Sequence, residues 1–304
     1  MARRSAEGPR AWRAVLAALP TTVLALLLVA GPASGTCVGD ANADGRVTIN
    51  ELIIAVNNAL NGCPDLDISS ADLVRGGLLY DKWWVVNGSP TPAETMPLYL
   101  TTQGTRTGSI TWRCKECHGW DYRGVDGAYG AGSHFTGVPG VIQGVEARTN
   151  QELFDAIKSG TPPASDGSSG LTDAHAFVGN LSDEDVLDLV RFLREGLVDM
   201  TVLIDSGTKA SNGDPNAGQP LFATAGSGKC ALCHGSDGRM INFGDEQNPE
   251  FVGTVASDNP WESLHKIRWG HPGSVPGMPS TVASGVSLTE QNDILAYSQT
   301  LPDN

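Results

Sequence analysis

Apolar positions first gather in one run, Ala14 to Ala30, behind Arg3, Arg4, Arg10 and Arg13 and ahead of Ala33-Ser34-Gly35. Basic, then apolar, then small is the order of a secretory signal peptide over residues 1–35, cleaved near Gly35, with a retained short membrane anchor as the alternative. Beyond it the apolar positions fall at helical spacing. Leu52, Ile53, Val56 and Leu60 mark one amphipathic helix, and the spacing predicts further helices from Gln151 to Lys158 and from Pro260 to Trp269. Val186, Leu189, Val190 and Leu193 form a stripe behind a Ser182 cap; Ile294, Leu295, Tyr297 and Leu301 form another behind a Thr289 cap, stopped by Pro302. Short helical pieces, Gly77 to Tyr80 and Gly218 to Phe222, lead the two sets. The pattern is all-α, and 37 Gly and 18 Pro among 304 residues predict long loops.

Composition adds limits. Hydrophobic residues at 40% and charged residues at 18% describe a soluble globular chain of two domains and a small extra module, not a disordered or polytopic one. A formal charge of −14 argues against nucleic-acid partners, whose phosphates it would repel, and favours basic or neutral ones. Export points to the periplasm or another extracytoplasmic space, where disulfides are permitted.

The six Cys fall in three pairs, and two pairs are followed at once by His. Cys114-Lys-Glu-Cys117-His118 and Cys230-Ala-Leu-Cys233-His234 are both C-x-x-C-H, the attachment signature of c-type haem. Two thiols three residues apart on a helical turn reach both vinyl groups of one porphyrin, and the adjacent His becomes the proximal iron ligand. A zinc reading lacks a second ligand pair at the right spacing near either motif. No catalytic constellation is visible among the six His, two of which are proximal ligands.

Each motif is followed by a middle and a closing helix, and the first is delayed by an insertion, Asp81 to Arg113. With these elements, residues 67–199 and 214–304 resemble two class I cytochrome c domains in tandem, joined by a linker, 200–213. The resemblance implies small all-α folds around covalent haem, with a distal Met from a later loop. In the second unit Pro276-Gly277-Met278-Pro279 resembles that ligand loop, making Met278 the expected distal ligand opposite His234. The first unit has no Met between Cys117 and its closing helix. His175, in the equivalent loop, is the expected distal ligand opposite His118, with His134 or an open iron as alternatives.

Residues 36–66 hold a third feature. Asp40, Asn42, Asp44, Thr48 and Glu51, with Gly45 at the turn and Arg46 offering its carbonyl, fill a twelve-residue calcium loop. It resembles the loop-helix half of an EF-hand, as in dockerin-like repeats, and implies one structural calcium ion; a plain acidic turn is the alternative. Asp65 to Asp72 lacks the Gly and the spacing of a second repeat. Cys37 and Cys63 bracket this module, and a disulfide between them is expected in an oxidising compartment. The whole reads as an exported dihaem carrier of single electrons between redox partners, free or as a subunit of a larger complex, with the first haem at the lower potential. The competing reading is an oxidoreductase resembling dihaem peroxidases or thiosulfate dehydrogenase, with a substrate-binding first haem.

Overall fold

A computed structural model of the chain describes residues 47–61, 64–160, 175, 177, 179–224 and 229–303. The fold is all-α: among the described residues the only β contacts are the isolated bridges Gly124 to Pro139, Ile204 to Ser211 and His271 to Met278. The chain divides into two units, at Pro64 and Asp65. In the first, helix α1 (Ile49–Asn61) starts at a reciprocal cap. The Thr48 N–H donates to the Glu51 carboxylate (2.7 Å) and the Glu51 N–H to the Thr48 hydroxyl (3.3 Å). Its apolar positions Leu52, Ile53, Val56 and Leu60 are each more than half exposed.

The second unit is one body built on a repeated plan. Its helices are α2 (Leu73–Val86), α3 (Cys114–His118), α4 (Ile142–Val145), α5 (Asn150–Ser159) and α6 (Asp183–Arg191), then α7 (Pro215–Thr224), α8 (Cys230–His234), α9 (Val252–Asp258), α10 (Pro260–Trp269) and α11 (Leu288–Ser298). In each half the leading helix crosses the closing one at a glycine. A Cβ on Gly76 would overlap the Asp188 carbonyl, and one on Gly218 would overlap that of Asp293. One helical turn earlier, the Asp72 N–H donates to the Asp188 carboxylate (2.6 Å) and the Asp214 N–H to that of Asp293 (2.7 Å). One turn later, aromatic pairs close the crossing: Tyr80 with Phe192 at 5.3 Å and Phe222 with Tyr297 at 5.4 Å between ring centres. The crossing glycine is therefore Gly76, four residues before Tyr80, and Gly77 faces Trp269 instead.

Local signals explain the helix ends. Ser182 caps α6 through Asp185, and Ser287 caps α11 through Glu290. The expected Thr289 cap is displaced by two residues, because the Ser-x-x-Glu box begins one residue before the apolar periodicity does. The expected stripe on α6 is buried throughout at Val186, Leu189, Val190 and Leu193. The segment expected as a linker is packed: Met200 and Ile204 are buried in the common core.

The two halves join through α10. His265 is fully buried, its Nε2 3.1 Å from the Gly77 carbonyl and its Nδ1 2.9 Å from the Tyr122 hydroxyl. The tautomer that satisfies both donates from Nε2 to the carbonyl and accepts from Tyr122 at Nδ1. Its ring packs on Trp120 at 4.8 Å. Arg268 donates to the Gly196 carbonyl (2.8 Å), and Trp269 fills the space left by Gly77 and Gly196. Around Trp120 lie three ion pairs, Asp81 with Arg113, Glu116 with Lys115 (2.8 Å), and the half-buried Glu262 with Lys266 (2.5 Å). Removing one member of a buried pair would leave its partner's charge uncompensated.

Candidate functional site

Each C-x-x-C-H motif is one short helix ended by a left-handed glycine, Gly119 after α3 (φ 78°) and Gly235 after α8 (φ 80°). Positions i, i+3 and i+4 share a helix face, so the two sulfurs and the imidazole of each motif lie together. The first motif is pinned to α2, where Tyr80 donates its hydroxyl to the Gly119 carbonyl (2.7 Å).

In the first half two imidazoles meet edge-on. The His118 and His175 ring centres are 6.4 Å apart, with planes at 77°. His118 Nδ1 lies 2.8 Å from the Pro139 carbonyl and His175 Nδ1 3.1 Å from the Ala156 carbonyl. Each Nδ1 donates its proton there, which leaves each Nε2 a free lone pair. Two imidazoles on opposite sides of one metal need ring centres about 6 Å apart, from about 2 Å per metal–nitrogen bond and about 1 Å from each nitrogen to its ring centre. Burial, with the neighbouring His175, pushes the His118 pKa down to about 4, and burial lowers that of His175. Both rings are thus neutral at pH 7, the form that binds metal.

His134 is spent elsewhere. Its Nδ1 is 3.3 Å from the Glu116 carboxylate, its Nε2 is 3.2 Å from Arg106, and its ring stacks on Tyr129. Burial pushes the Cys114 and Cys117 thiols up to about 12 and raises that of Cys230. A nucleophilic or redox-cycling thiol is shifted the other way. Among the described residues no group of three or more His, Cys, Asp and Glu is arranged to hold a bare metal ion.

In the second half Cys230, Cys233, His234, Phe243, His271 and Met278 line one cavity of about 590 Å³. That volume suits a cofactor-sized group. His234 Nδ1 is buried and has no hydrogen-bond partner among the described residues. Met278 reaches the cavity because Gly270 (φ 92°) lets the returning chain pass against it; a Cβ there would overlap the Met278 carbonyl. The Met278 N–H donates to the Ser274 hydroxyl (2.7 Å), which donates to the His271 carbonyl (3.0 Å).

Of the calcium loop, only Thr48 and Glu51 lie within the described residues; Asp40, Asn42, Asp44 and Arg46 lie outside them, as do Cys37, Cys63 and residues 1–35. No helix among the described residues is long and apolar enough to cross a membrane. Sequence reasoning missed His271 in the cavity and His265 in the joint. The signal for His271 was its presence in the same turn as Met278; nothing local marked His265. No family model, no curated protein and no solved structure matches this chain.

Proposed function

We propose that this chain is an exported dihaem c-type cytochrome that passes single electrons between redox partners, with haem attached at Cys114 and Cys117 and again at Cys230 and Cys233. The reading rests on His118, the last residue of one C-x-x-C-H motif, and His175, whose ring centres stand at a two-imidazole, one-metal separation. When bound, haem iron supplies reversible one-electron chemistry. The chain holds the donors: carbonyls orient His118 and His175, and the turn from Gly270 to Met278 presents a thioether across the cavity from the second motif. Tandem cytochrome c folds suit the repeated helix crossing. Mass spectrometry of denatured protein, exported from a host with haem-attachment machinery, tests the reading: two haem increments are expected, and their absence would end it.

Two features order the potentials. Imidazole favours ferric iron more than a thioether does, so a His118 and His175 site lies below a His234 and Met278 site. The carbonyl on His118 Nδ1 makes that ring a stronger donor, whereas His234 has no such acceptor among the described residues. Electrons then pass from the first site to the second. An oxidoreductase with a substrate-binding first haem would need an open position where His175 stands. Carbon monoxide binding to the reduced protein separates the two readings. A calcium ion held by residues 40–51, a Cys37 to Cys63 disulfide, a periplasmic location and basic-surfaced partners complete the proposal.

A further inference from the structure

Six residues separate two potential iron donors in the second half, and the fold sets them side by side. His271 and Met278 pair as an isolated antiparallel bridge, and both line the cavity that holds Cys230, Cys233 and His234. Residues directly opposite in an antiparallel pair project to the same face, with Cβ atoms about 5 Å apart. Ser274 clips the turn from both sides, and Gly270 allows the close approach, so the register is held by three separate contacts. The rings of His118, His134, His175 and His265 all make hydrogen bonds, but that of His271 makes none among the described residues.

We infer that His271 is a reserve iron donor beside Met278, so that one face of the second site carries a soft thioether and a harder imidazole. This rests on the reading of residues 230–234 as a haem attachment. Exchange of one for the other breaks an iron–sulfur bond and forms an iron–nitrogen bond, with no proton or electron added. An imidazole favours the ferric state and a thioether the ferrous state, so the exchange lowers the potential of the second site toward that of the first.

The test is Met278→Ala in the full haem-loaded protein, read by EPR and by carbon monoxide uptake after reduction. The second site should stay low-spin, take up no carbon monoxide and titrate at a lower potential. Met278→Ala with His271→Ala should turn it high-spin and bind one carbon monoxide per chain. If Met278→Ala alone is already high-spin and binds as much as the double variant, His271 is not a reserve donor. Should Met278→Ala fail to accumulate, Met278→Val carries the same comparison with and without His271→Ala. Loss of the cytochrome reading looks different: the unmutated protein would lack two haem increments in its mass.

Discussion

Among the described residues the His175 ring makes one hydrogen bond, its Nδ1 to the Ala156 carbonyl, and its ring centre lies 6.4 Å from that of His118. In the haem-loaded protein proposed above, its removal opens one side of the first site. His175→Ala should convert that site from low-spin to high-spin and let it take one carbon monoxide when reduced. A spectrum and potential unchanged in EPR and redox titration would remove His175 from the site. His265 makes a different kind of prediction. Burial pushes its pKa down to about 3, with Arg268 and Lys266 lowering it and Asp81 opposing. The unfolded chain, with an ordinary imidazole, binds the proton that the folded chain refuses. Stability is thus complete above about pH 6.5 and lost as pH falls toward 3, by about 2 kcal/mol at pH 5. Urea unfolding midpoints at pH 7 and pH 5 should show this loss, and His265→Gln should flatten it at the expense of stability at pH 7.

Helix crossings carry the next scale. Gly76 and Gly218 each face a backbone carbonyl of the closing helix, where a methyl group can be accommodated only by moving a helix. Gly218→Ala should cost about 1–3 kcal/mol, as overpacking does. Gly207→Ala, whose Cβ would meet nothing nearer than 3.5 Å, should cost far less in the same thermal scan. Helices α5, α6, α10 and α11 were legible from the chain because capping and periodicity are local. Thr289 misled by standing two residues past the true cap, Ser287, and Gly76 was hidden beside Gly77, since which of two adjacent glycines meets a partner depends on the partner. His175 was legible from its place in the loop before the closing helix. The burial of Lys115 and Glu116 was not, because the x-x positions of an attachment motif say nothing about what later segments cover them.

At the scale of the molecule the chain divides into two compact units, at Pro64 and Asp65, and the proposed calcium loop belongs to the first. A chelator should therefore lower the protease resistance of residues 36–64 and leave the main thermal transition in place. A change in that main transition alone would separate calcium from residues 40–51. The body, by contrast, should melt as one, since both halves share a core.

The contact between Gly77 and His265 also imposes an order in time. It joins residues 188 positions apart, and a loop of that length must close before the contact gives anything back. During synthesis from the N-terminus, the first half arrives with the place of His265 and Trp269 still vacant, so Trp120 and Tyr122 stay wet until nearly the whole chain has emerged. A chain ending at residue 213 should reproduce that waiting state, with amide protection lost around Trp120 and Tyr122 but kept at the Gly76 crossing. The arrival of α10 would then be the event that closes the first half around Gly77, Trp120 and Tyr122.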